Sequence, residues 1–311
     1  MKPAIIGLSG PVLTAEEAAL LRAERPLGVI LFRRNVVEPA QLSALIAAVR
    51  EVLGASAPVL VDQEGGRVAR LRPPHWPAFP APSVFEGAPA EAARANAAAL
   101  GRACAAAGFD VVCGPCLDLR LPGAHDVIGD RAFSADPAEV ARLGAAWIAG
   151  LREAGVQPVL KHIPGHGRTT LDSHEALPVV MADAAALEAD FAPFRALAAP
   201  DLWGMTAHIL YPALDAARCA TLSPQVIGEV IRGRIGFTGF LVSDDLAMRA
   251  LDGAPGELAR AALDAGCDAV LHCSGVLAES AAALAACPML SEAAGARLAA
   301  ARGAQAPAVH A

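Results

Sequence analysis

Fourteen residues, Lys161-His-Ile-Pro-Gly-His-Gly-Arg-Thr-Thr-Leu-Asp-Ser-His174, follow the apolar run Val156–Leu160 and hold a lysine, three histidines and an aspartate. Such groups pack poorly into a core, and they titrate or donate hydrogen bonds near neutral pH. Asp172 stands two residues before His174. At that spacing its carboxylate can accept from one ring nitrogen and leave the other to give or take a proton, which is general acid/base chemistry. The plainer reading makes Asp172 a cap for the following turn. Gly165 and Gly167 loosen the backbone, so the segment reads as a loop able to close over a ligand.

Other apolar runs end the same way. Val59-Leu-Val-Asp62 is followed by Gln-Glu-Gly-Gly-Arg67 and Arg70, and further runs stop at Asp118, at Lys161-His162, at His208 and at Asp244-Asp245. One polar residue closing a strand is usually a cap or turn former. Five on one rim suggest a site. Asp244 ends a run of apolar residues, so its carboxylate should project from the strand end and be free for chemistry, while Asp245 suits a structural, capping role. Arg131, in Val127-Ile-Gly-Asp-Arg-Ala-Phe133, is flanked by apolar residues that would anchor it to grip ligand oxygens.

The elements that must position these groups recur with a simple rhythm. Apolar strand-like runs occur at Ala4–Leu8, Gly28–Phe32, Val59–Asp62, Phe109–Cys113, Val156–His162, Trp203–His208, Phe240–Asp244 and Ala269–Cys273, with helical patterns between most of them. Alternating strand and helix implies a parallel sheet, and about eight units imply a single-domain (β/α)8 TIM-type barrel over residues 1–302, with a flexible tail at 303–311. In that fold the C-terminal strand ends form the catalytic face. Thr14-Ala-Glu-Glu17 reads as a capping box, and Ser223-Pro224 and Ser134–Pro137 read as helix starts. The proline-rich stretch at 72–88 reads as a stiff loop.

Composition narrows the class. With 55% hydrophobic and 18% charged residues, the 311-residue chain can bury a large core and is not disordered. A net charge of −7, with lysine nearly absent, argues against a nucleic-acid partner. The N-terminus lacks signal-peptide features, and no apolar stretch is long enough to span a membrane. Seven cysteines, several inside strand-like runs, fit buried reduced thiols in a cytoplasm, the Cys113-Gly-Pro-Cys116 pair included.

Taken together these blocks resemble a known family. The Lys161–Gly167 run with Asp172-Ser-His174 is similar to the signature loop of bacterial β-N-acetylhexosaminidases of glycoside hydrolase family 3, single-domain Gram-negative type. Gly28–Asn35, Asp62–Val68, Ile128–Phe133, Ala207-His208, Ser243–Met248 and Ala265–Asp268 are similar to that family's blocks, in its order. The resemblance implies Asp244 as nucleophile, His174 as general acid/base and Asp172 as its orienting partner. It implies Asp62, Arg70, Arg131, Lys161 and His162 as the residues holding the sugar. It further implies release of terminal β-linked N-acetylglucosamine from anhydro-muropeptides in cytoplasmic cell-wall recycling, with no cofactor or metal and a monomeric chain. Ile163 stands where phenylalanine is common, Arg168 falls at a variable position, and Leu271-His-Cys-Ser274 departs from the expected Asn-containing ending.

Three rivals share the barrel. A metal-dependent hydrolase could draft His162, His166, His174, His208 and Asp244 as ligands, although the first strand lacks a His-x-His pair. A family 3 phosphorylase would use phosphate in place of water. A non-catalytic sugar-binding barrel would leave both the acid/base and the nucleophile candidates without a role.

Overall fold

The computed structural model describes residues 1–303, so the expected tail lies outside the described residues from 304 onward. Within them the strands are β1 (Lys2–Gly7), β2 (Pro26–Leu31), β3 (Val59–Val61), β4 (Val111–Val112), β5 (Gln157–Ile163), β6 (Trp203–Thr206), β7 (Phe240–Asp245) and β8 (Ala269–His272). They pair in parallel in chain order, and β1 closes on β8 through Ala4–Val270, Ile5–Leu271 and Ile6–His272. The fold is the (β/α)8 barrel that the strand–helix rhythm predicts.

The connecting helices are α1 (Ala15–Glu24), α2 (Pro39–Leu53), α3 (Ala90–Ala106), α4 (Pro137–Glu153), α5 (Leu187–Leu197), α6 (Pro255–Ala265), α7 (Leu277–Ala286) and α8 (Glu292–Gly303), with a π-helix at Val226–Arg234. The local signals behave as read. Thr14 accepts from the Glu17 amide while the Glu17 carboxylate accepts from the Thr14 amide, which closes the capping box of α1. Asp136 caps α4 ahead of Pro137, and Ser223 Oγ accepts from the Val226 amide.

The two-residue period of a strand sorts the side chains into two layers. Ile5, Leu60, Val111, Val159, Trp203, Phe240, Val242 and Leu271 fill the barrel interior, with Ala294, Leu298 and Ala301 of α8 packed into the same core. The alternate residues, among them Ile6, Val61, Val112, Leu160, Leu241 and Val270, pack under the helices. All seven cysteines are buried and unpaired; burial pushes the Cys104 and Cys113 thiols far up, which leaves them inert.

Strand β4 is shorter than the apolar run Phe109–Cys113 suggests. Pro115 has no amide to donate, and the chain turns at Gly114, whose amide donates to Val112 O. Pairing with β5 resumes beyond it: Leu117 N–H donates to Lys161 O at 2.7 Å. This break and restart carries Asp118 to a place beside His162. Among the described residues, no helix is long and apolar enough to cross a membrane.

Candidate active site

The strand ends open into a cavity of about 380 Å³, within the range of small-molecule sites. Asp62, Arg70, Arg131, Lys161, His162, Asp172, His174 and Asp244 all line it. Periodicity explains how several get there. Phe240 and Val242 point inward, so Asp244 follows them at the mouth; Leu60 does the same for Asp62, and Val159 for Lys161. His162 breaks the alternation. The β5–β6 register shifts between Leu160 and Ile163, which brings two consecutive side chains of β5 to the cavity.

One wall is a chain of charges. Arg70 Nη2 meets Asp62 Oδ2 at 3.1 Å; Lys161 Nζ lies 2.9 Å from Asp62 Oδ1 and 2.6 Å from Glu64 Oε1. Arg131 grips Glu64 with two parallel bonds of 2.9 Å. Burial pushes the Glu64 carboxyl up, but Arg131 and Lys161 outweigh it and bring it down to about 2. Burial likewise opposes ionisation of Asp62, yet Lys161 and Arg70 hold it well below the usual carboxylate range. Lys161 is raised by Asp62 and Glu64 against its own burial. Three cations against two carboxylates leave a positive, donor-rich wall suited to hydroxyl oxygens.

The wall is braced from behind. Gln63 Oε1 accepts from the amides of Arg70 and Leu71, which fixes the loop that delivers Arg70. Arg67 binds Asp130 and the carbonyls of Asp126, Val127 and Ile128, pinning the segment that carries Arg131. Asp118 Oδ2 lies 2.6 Å from His162 Nδ1, and Arg131 Nη2 approaches His162 Nε2 at 3.4 Å. A guanidinium only donates, so the tautomer with its proton on Nδ1 satisfies both contacts.

The opposite side carries Asp244. Its Oδ1 accepts from the Asp245 amide at 2.9 Å. Burial favours its neutral form, but the fields of His162 and His208, the Asp245 amide and Lys161 together hold it below the usual carboxylate value. Asp244 is therefore an anion at neutral pH. Asp245 turns the other way: Oδ1 accepts from the amides of Ala247 and Cys273 and ties β7 to β8. His208 sits behind this pair with both nitrogens engaged, Nε2 at 2.9 Å from Asp245 O and Nδ1 at 2.7 Å from Thr221 Oγ1. Of the polar strand ends, Asp62, Lys161, His162 and Asp244 reach the cavity, while Asp118 and His208 support from behind.

The third side is the loop after β5. His174 Nδ1 lies 2.7 Å from Asp172 Oδ1, and the same oxygen accepts from the His174 amide at 2.9 Å. Asp172 thus both caps the turn and orients the ring. The His174 side chain is 65% exposed, open to ligand and water. Burial raises the Asp172 carboxyl, but its hydrogen bonds and charge interaction with His174 together outweigh it and lower it. The two glycines serve close packing. Gly165 has φ +143°, and a Cβ on Gly167 would stand 2.1 Å from Leu119 O.

The sequence gives Glu64 and Ser173 no role, reads Asp118 only as a polar strand end, and reads His166 only as a ligand of the rival metal hydrolase. Glu64 had one legible signal, its place two residues beyond Asp62. The five ligands drafted for a metal hydrolase form no single ligand set among the described residues; the group that does converge is Cys116, Asp118 and His162. There the Cys116 thiol donates to Asp118 at 3.1 Å, and burial and Asp118 raise it far above the thiol range.

Comparison with known proteins agrees with the geometry. The profile of the Glycosyl hydrolase family 3 N terminal domain matches residues 8–298. A protein of Alkalilimnicola ehrlichii named Beta-hexosaminidase is 46% identical over 285 residues, covering 88% of this chain and 80% of its own. Among solved structures, the glycoside hydrolase family 3 β-N-acetylglucosaminidase of Paenibacillus sp. str. FPU-7 superposes with a TM-score of 0.89 at 34% identity, over 99% of this chain and 63% of that one. NagZ from Neisseria gonorrhoeae superposes with a TM-score of 0.81 at 31% identity, over 98% of each chain. The barrel, the order of its motifs and these matches agree: the chain belongs to glycosyl hydrolase family 3.

Proposed function

We propose that this protein is a retaining β-N-acetylhexosaminidase that removes terminal, non-reducing β-linked N-acetylglucosamine through a covalent glycosyl-enzyme intermediate. The observation that carries the reading is one cavity lined by an ionised strand-end carboxylate, Asp244, and by the Asp172–His174 pair on a separate loop. The family membership and the relatives' names support it.

In the first step an Asp244 oxygen attacks the anomeric carbon while the bond to the leaving oxygen breaks. His174 delivers its proton to that oxygen. Asp172 holds the ring and stabilises its cationic form. In the second step water gives a proton to His174 and attacks the same carbon, and the ester to Asp244 breaks. Most retaining glycosidases use a second carboxyl as acid. Here an imidazole fills that role, giving the one proton the first step needs and taking back the one the second step releases. Asp62, Arg70, Arg131, Lys161 and His162 hold the sugar hydroxyls.

We assign the natural substrate to anhydro-muropeptides derived from peptidoglycan, and the place of action to the cytoplasm, where cell-wall fragments are recycled. The test is release of 4-nitrophenol from its β-N-acetylglucosaminide and from its β-glucoside, each with and without phosphate. The reading requires faster release from the N-acetylglucosaminide and no dependence on phosphate. Preference for the glucoside would refute the substrate class, and a requirement for phosphate would make the protein a phosphorylase.

A further inference from the structure

The loop that presents His174 is held at an unexpected point. Ser173, between the exposed His174 and Asp172, is only 2% exposed. Its Oγ lies 3.2 Å from His166 Nε2, and its carbonyl accepts from the Ala250 amide at 3.1 Å, just beyond the strand that carries Asp244. His166 is equally buried. Its Nδ1 lies 3.1 Å from Thr169 Oγ1, and its amide donates to Asp118 Oδ1 at 2.6 Å. Burial and the neighbouring His162 bring the His166 ring down to about 4, so it is neutral at working pH. A neutral imidazole has one donor and one acceptor, and two hydroxyls complement it in either tautomer.

We propose that His166 and Ser173 form a clasp that sets the position of the Asp172–His174 pair against Asp244. The clasp spans the loop from its base to the residue before His174, and the Ala250 contact ties it to β7. Both residues border the cavity, but their polar side-chain atoms are engaged with each other and with Thr169, so we assign them as positioning residues. The inference rests on the assignment of His174 as acid/base.

A misplaced acid slows departure of a poor leaving group and leaves an activated one unaffected. The experiment measures kcat/KM for Ser173→Ala, His166→Gln and His174→Ala on two β-N-acetylglucosaminides, one of 2,4-dinitrophenol and one with a sugar alcohol as leaving group. We expect Ser173→Ala to lose about tenfold on the sugar aglycone and less than about twofold on dinitrophenol, a fraction of the 10²–10⁴ that acid/base catalysis supplies. On the dinitrophenyl substrate the base-assisted second step limits kcat, so kcat of Ser173→Ala should fall while kcat/KM holds, and azide, a nucleophile that needs no base, should restore it. A variant that folds poorly loses active molecules and falls equally on both substrates, so the ratio reads position alone. Equal losses on both substrates, or none, overturn the clasp. Should His174→Ala be selective while Ser173→Ala is not, the clasp alone fails. If His174→Ala is not selective either, the acid/base assignment fails and takes the clasp with it.

Discussion

Acid should weaken this fold through His166 more than through an ordinary histidine. The ring is 2% exposed and faces His162, Asp118 and Arg131, with Thr169 and Ser173 on its nitrogens. It titrates at about 4 in the folded chain, against about 6.5 when unfolded. A depressed value means that the unfolded state binds the proton first, so stability is complete above pH ~6.5 and is lost as the pH falls toward 4. Each pH unit across that window is worth about 1.4 kcal/mol, so the interval amounts to about 3 kcal/mol. His208 and His272 are depressed too and act in the same direction, so the comparison must be with a variant. Urea denaturation of the native protein and of His166→Gln, in steps from pH 7.5 to 4, isolates the effect. The native protein should lose about 3 kcal/mol more than the variant across the window. Parallel losses would refute the reasoning, because they would mean that the folded ring takes up a proton as easily as the unfolded one.

Two further outcomes follow from the packing. Glu64→Gln leaves Lys161 and Arg131 short of a buried counter-charge and should cost about 3–5 kcal/mol in chemical denaturation, as loss of one partner of a buried ion pair does; a loss under about 1 kcal/mol would show that water already screens the pair. Gly167→Ala drives a methyl against Leu119 O and should destabilise the protein by at least about 1–3 kcal/mol in the same assay, with a neutral result showing that the loop base can yield.

The barrel was legible because about eight apolar runs alternate with helical patterns along the chain. Asp244 was legible over Asp245 because it ends an apolar run; in the fold, counting by twos from the inward Phe240 and Val242 lands on Asp244, and Asp245 caps as expected. The strand-end rule named Asp62 and Lys161 likewise, as polar residues that close apolar runs. The rule named His162 too but could not show that it faces the cavity beside Lys161, because the β5–β6 register shifts between Leu160 and Ile163. Nor could it find what Asp118 does, since the strand break at Gly114-Pro115 sets that geometry. Glu64 pairs with residues 67 and 97 positions away, and Ser173 carries no signal of its own between Asp172 and His174. The Glu64 contacts arise only when segments far apart in sequence come together, and the Ser173 contact only when its own loop folds back on His166. The His174–Asp172 pair lay open in sequence because its geometry is local, two residues apart.

The most direct test of the mechanism is to catch the sugar on the enzyme. Incubation with an activated fluoro-sugar of N-acetylglucosamine, followed by proteolysis and mass mapping, should place the added mass on Asp244, with none on Asp245 and none in Asp244→Ala. Label at any other side chain, or undiminished turnover by Asp244→Ala, would contradict a covalent role for that carboxylate.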